Sequence, residues 1–258
     1  MTAAPLQQAS GSHVAGERRR TFLTPGLVAL GLLSLAGIVA FTALGIWQIE
    51  RRTWKLDLIA RVEQRIHAAP VPIPAPDEWV HINARDHEYR RVSVDGRFLH
   101  DRETLVQAVT DYGQGAWVLT PLRTLDGITV LINRGFVPAE LRDPATRAQG
   151  NAEGIVRVTG LMRMSEPIGG FLRKNNSATD RWYSRDVAAI AEVRGLKQAA
   201  PFFIDSDTTP NAGGWPRGGL TVVSFHNNHL VYALTWFALA FMLAGATIRV
   251  ARTERRTR

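Results

Sequence analysis

From Leu230 to Ile248 the chain carries no charged side chain, enough residues to cross roughly 30 Å of hydrocarbon as a helix. A second uncharged run extends from Thr21 to Ile49. Two membrane-crossing helices near the ends put both tails on one side of a bilayer and the region from Arg51 to Phe225 on the other. The sequence therefore predicts an α+β membrane protein: two transmembrane helices flanking one extramembrane domain.

The flanking charges set the expected orientation. Arg18-Arg19-Arg20 precede the first run and a basic tail from Arg249 to Arg258 follows the second, within a net charge of +8. Basic groups at these positions point to anionic lipid headgroups rather than nucleic acid. Arg51, Arg52 and Lys55 oppose them just outside the first run. Charges in a loop longer than ~60 residues have little influence on topology, so the short tails decide. Both termini are expected in the cytoplasm and the loop domain in the periplasm of a bacterial inner membrane. A cleaved signal peptide fits less well: the apolar run is too long and no small-x-small site precedes Trp47-Gln48-Ile49-Glu50. A mitochondrial presequence would carry spread arginines, and residues 1–16 have none.

The expected organisation follows. Residues 1–20 form a disordered cytoplasmic tail, 21–49 the first transmembrane helix, and 50–69 a juxtamembrane helix running to His67. That helix stops before the stiff Pro70-Val71-Pro72-Ile73-Pro74-Ala75-Pro76 linker. Residues 70–225 form the periplasmic domain, 228–249 the second transmembrane helix and 250–258 a basic cytoplasmic tail.

Within the loop domain the pattern has period two. Arg91–Phe98, Thr104–Val109, Trp117–Leu122, Ile128–Phe136, Ile155–Met162, Phe202–Ile204 and Leu220–Phe225 read as strands, with Asp126-Gly127 as a hairpin turn. Asp186–Val193, ended by Gly195, reads as a helix. Tight turns between consecutive strands predict an antiparallel β-rich barrel or roll.

Chemistry-bearing motifs are few. The chain has no cysteine, which excludes disulfides, thiolate catalysis and Cys-ligated metal sites. Asp205-Ser206-Asp207 reads as a solvated turn, and His81, His87 and His100 as separate surface histidines. Arg134, inside Asn133-Arg134-Gly135, either makes a structural ion pair or meets an anionic group. No enzymatic motif is present, so a non-enzyme is expected.

The second apolar run differs. Asn228 is suited to cap the helix, placing His229 in its first turn. An imidazole at that partly positive helix end is expected neutral, the form that ligates metal. Tyr232, Ala233, Trp236 and Ala240 follow at i+3, i+4, i+7 and i+11, a shelf of small and large groups on which a flat apolar ring could lie. One neutral histidine is a known way to hold haem iron. The alternative is a His/Trp interfacial belt with the helix packed on the first span through small residues, Ala36 with Ala40 and Ala240 with Ala244.

An ordered set of segments resembles the Surfeit locus protein 1 family of cytochrome c oxidase assembly factors. The segments are Leu44–Lys55 (LGIWQIERRTWK), Arg91–Phe98 (RVSVDGRF), Thr120-Pro121-Leu122, Val130–Pro138 (VLINRGFVP) and Asn227–Phe237 (NNHLVYALTWF). Phe136 stands where that family commonly has tryptophan, and His226 has no place in the family pattern. The resemblance implies receipt of haem a and help with its insertion into the catalytic subunit of the oxidase, with His229 as ligand. On the helical spacing already described, Tyr232, Ala233 and Trp236 would line the cofactor. Implied partners are the oxidase catalytic subunit, haem a synthase and the lipid bilayer. The alternative is a scaffold without haem that holds an oxidase subunit or the synthase during assembly. A copper carrier fits poorly, because cuprous ion prefers sulfur and the chain has only 4 methionines.

Overall fold

The computed structural model describes residues 25–167, 169–170, 173–221, 223, 225 and 227–257. The 1–20 tail and His226 lie outside them. The described chain divides into two units, one made of residues up to Thr53 with Asn227 onward, the other running from Trp54 to His226.

The elements in chain order are α1 (Pro25–His67), β1 (Val71–Pro72), α2 (Ala84–His87), β2 (Arg91–Phe98), β3 (Thr104–Thr110), β4 (Gly113–Thr124) and β5 (Thr129–Pro138). They continue with β6 (Val156–Met164), α3 (Val187–Val193), β7 (Ala199–Ser206) and α4 (His229–Thr257). The first apolar run and the juxtamembrane segment are thus one helix. It ends before Pro70, as the backbone restriction imposed by proline requires.

The helical unit pairs the first part of α1 with α4. Leu27, Gly31, Ser34, Ile38, Phe41, Gly45 and Gln48 form the less exposed stripe of α1. Their alternating three- and four-residue spacing is that of a packed helical seam. On α4 the matching stripe is His229, Ala233, Trp236, Ala240 and Leu243. Phe41 stacks on Trp236 at 5.6 Å between ring centroids. A Cβ on Gly37 would lie 2.7 Å from Leu243, and one on Gly45 2.6 Å from the Phe237 ring. Close approach therefore depends on Gly37, Gly45 and Ser34. Ala36 and Ala40 are exposed, which corrects the expected contact: they fall off the seam by a third of a turn. Ala240 and Ala244 do lie on it.

Most of the remaining surface of both helices is apolar and uncovered, with Leu33 73% and Phe241 79% exposed. A core helix of a soluble domain would bury such side chains, and bare apolar stripes of this length call for lipid or a partner. Both helices are long and apolar enough to cross a membrane.

The second unit is a closed five-stranded barrel, β2-β6-β7-β5-β4, sealed by pairing of Gly96–Phe98 with Leu122–Thr124. β1 adds to β2 in parallel, and β3 extends the sheet beyond β4. β2 shows the simple alternation: Val92 and Val94 are buried inside while their neighbours are partly exposed. In β5 both faces are covered, so the alternation vanishes. Val130 and Ile132 point into the barrel core with Phe202 and Ile204. Leu131 and Phe203 pack outside against Trp182 and the α3 residues Val187 and Ile190. Asp186 caps α3 by accepting from the Ala189 amide at 3.2 Å.

Two expectations are corrected here. One barrel seam, β5–β7, is parallel rather than antiparallel; the intervening chain, with β6 and α3, is long enough to make the crossover. The described residues of Leu220–Phe225 are not a strand. β6 and β7 each have both edges paired within the barrel, so no free edge of either awaits another strand.

Gly135, at φ +128°, lets Arg217 bond to both backbone polar groups of Phe136 at 2.9 Å. A Cβ at Gly135 would lie 2.0 Å from the Arg217 carbonyl oxygen. Gly135→Ala is expected to cost on the order of 3 kcal/mol from backbone strain and displaced chain together. Chemical unfolding of the full chain in detergent checks this; an unchanged midpoint would contradict it.

Candidate functional site

In the helical unit, the carbonyl of Asn228 accepts from the Tyr232 amide at 3.2 Å, so Asn228 occupies the capping position and α4 begins at His229. The half-buried His229 ring reaches across to α1, its Nδ1 lying 2.7 Å from Oε1 of Gln48. An amide oxygen can only accept, so a neutral imidazole held this way would carry its proton on Nδ1 and leave the Nε2 lone pair free. Nε2 has no partner among the described residues.

The other three expected site residues separate. Trp236 shares the seam with His229 but is stacked on Phe41. Ala233, 1% exposed, lies beneath the packing of the two helices, whereas Tyr232 is 54% exposed on the flank. His229 and Trp236 are therefore brought to one face, with Tyr232 beside it and Ala233 serving as a spacer. Gln48 is the member that sequence reasoning missed. A signal existed: Gln48 lies one residue inside the end of the first uncharged run and His229 immediately precedes the second, and a two-helix hairpin sets such ends opposite each other.

A haem site needs one protein nitrogen with a free lone pair and an apolar wall. Nε2 of His229 satisfies the first condition, and the exposed Leu44, Trp47 and Tyr232, each within a turn of the pair, supply apolar surface. No cluster of three or more His, Asp or Glu ligands exists among the described residues, so a site built from several protein ligands is not offered there.

The barrel unit holds a different polar centre. Asp205, 3% exposed, is no solvated turn residue but part of β7. Its carboxylate accepts from Arg163 at 2.8 Å, Arg185 at 3.2 Å, Asn133 at 2.7 Å and the Thr221 hydroxyl at 2.9 Å. Glu88 and Glu166 take the outer sides of the two arginines at 2.7 and 2.6 Å. Burial works against the charge on Arg163, yet Asp205 and Glu88 outweigh it and raise its pKa. Asp205, Asn133 and the two arginines floor a groove of about 570 Å³ that Tyr89, Trp117 and Leu220 also line. Asp207, by contrast, stays in a turn and accepts from the Thr209 amide at 3.0 Å.

Arg134 is 3% exposed and pairs with no carboxylate among the described residues. Its guanidinium donates to Gly150 O, to Asn151 Oδ1 at 3.0 Å and to Asn211 Oδ1 at 3.3 Å, and lies over Phe98. Burial, with little relief from neighbouring charge, brings its pKa down to about 10. It is a clamp between β5 and two loops, neither of the two roles expected for it. His87 accepts from the Asn83 amide and His100 contacts the Ala152 carbonyl, and no metal-binding cluster of the three loop histidines exists among the described residues.

Comparison with known proteins covers both units. The SURF1 family model matches residues 35–241, a span that includes Gln48, the barrel and His229. This chain belongs to the SURF1 family. It is 39% identical to Surfeit locus protein 1 of Homo sapiens over 226 residues, 81% of this chain and 73% of that protein. The Mus musculus protein of the same name is 41% identical over 212 residues, 76% of this chain and 67% of its own length. The SURF1-like protein of Monosiga brevicollis is 37% identical over 247 residues, 90% and 89% of the two chains.

Proposed function

We propose that this SURF1-family protein is a non-enzymatic assembly factor of haem–copper oxidase that holds haem a through His229 and presents it for insertion into the catalytic subunit. The carrying observation is the His229–Gln48 pair, which leaves one imidazole nitrogen free at the mouth of two membrane-capable helices. The bound haem would supply the cargo, not a reaction. His229 would hold the iron and the exposed Tyr232 would flank the ring, with Trp236 kept in the seam on Phe41 beneath the site. Arg52, half-buried one turn beyond Gln48 and without an ion-pair partner among the described residues, is the cation for a porphyrin carboxylate. The isoprenoid tail of haem a would aggregate in water, so its carrier needs apolar surface continuous with lipid. A single axial protein ligand outside a closed pocket keeps onward transfer feasible.

In this reading both termini are cytoplasmic, the barrel is periplasmic, and the oxidase catalytic subunit and haem a synthase are the partners. The test is oxidase purified from cells lacking this protein. Reduced haem a per catalytic subunit, restored by the wild-type chain but not by His229→Ala, is expected. Full haem content with a stalled assembly intermediate would overturn the carrier role in favour of a scaffold.

A further inference from the structure

We infer that Gln48 is a positioning residue for His229, fixing the ring in the tautomer that ligates iron and setting how firmly it does so. This rests on the haem-carrier reading above. The two side chains come from different helices and meet at 2.7 Å across the seam. An amide oxygen accepting from Nδ1–H holds the ring orientation and leaves Nε2 as the only nitrogen able to bind metal.

The identity of the acceptor matters as much as its place. A carboxylate in the same position would draw the Nδ1 proton strongly, increase electron donation from Nε2 and favour ferric iron. A hydrocarbon would leave the ring free to turn and either nitrogen free to carry the proton. The neutral amide lies between these limits, as suits a protein that must both receive and release its cargo. Histidine ligands commonly depend on such outer partners, whose loss lowers metal affinity by roughly 10–100-fold.

The experiment uses the full chain in detergent, titrated with haemin and followed by its Soret band and by redox potentiometry. Gln48→Leu is expected to weaken binding by about 10–100-fold and move the midpoint potential positive. Gln48→Glu, which can only accept, is expected to keep binding and move the potential negative. Opposite shifts from two substitutions at one position are not produced by a general loosening of the helix pair. If His229→Ala binds haemin like the wild type, the carrier reading itself fails. If His229→Ala loses haemin while both Gln48 variants keep the wild-type affinity and potential, the role of Gln48 alone is overturned.

Discussion

Asp205→Ala is expected to lower the stability of the barrel by about 3–5 kcal/mol, the cost of stripping one partner from a buried ionic group. The carboxylate is the hub on which Arg163, Arg185, Asn133 and Thr221 converge. Its loss leaves the inner sides of two guanidinium groups unpaired on the floor of the groove, where their side chains are only 13% and 15% exposed. Because domains are stable by only about 5–15 kcal/mol, a fall in Tm of roughly 10 °C follows for a unit of this size. Asp205→Asn keeps the volume and one acceptor and should lie between. Thermal unfolding of the full chain in detergent, followed by circular dichroism, makes the comparison. A Tm for Asp205→Ala within 2 °C of wild type would show that Glu88 and Glu166 suffice to neutralise both arginines.

That network also marks where the sequence stops being readable. β2 was visible residue for residue, because its alternation of buried and partly exposed positions is a local property. Asp126-Gly127 marked the β4–β5 hairpin for the same reason: Gly127 takes φ +85°, and glycine adopts it at little cost. Nothing local announces that Thr129–Pro138 pairs in parallel with Ala199–Ser206, or that the barrel closes through only three residues of β2. Asp205 looked like a turn residue because its cationic partners lie 42 and 20 residues away in the chain.

His229→Ala is expected to abolish haem binding, with an affinity loss beyond the roughly 10–100-fold caused by removing an outer-shell partner. The fold should barely respond. What disappears structurally is one hydrogen bond to Gln48 at the end of the seam, a net contribution of about 1 kcal/mol. The Phe41–Trp236 stack and the contacts at Gly37 and Gly45 remain. A variant that migrates as the wild type in size-exclusion chromatography yet takes up no haemin therefore separates ligand loss from unfolding. Loss of both together would assign His229 to helix packing instead.

The site was half legible. His229 stood out because an ionisable group at the mouth of an uncharged helix is costly and calls for a reason. Spacing also put Trp236 on the stripe of His229, where it stacks on Phe41. Spacing could not tell that Ala233 would be covered by α1, since that depends on which stripe of α1 turns inward. Gly37 and Gly45 decide that stripe by admitting Leu243 and Phe237, and the same rotation carries Gln48 to the imidazole while turning Ala36 and Ala40 away.

The central claim is tested most directly by the absorption spectrum of the full chain purified from cells that make haem a. Haem a bands are expected in the wild type and in His226→Ala, and none in His229→Ala. An unchanged haem complement in His229→Ala would contradict it.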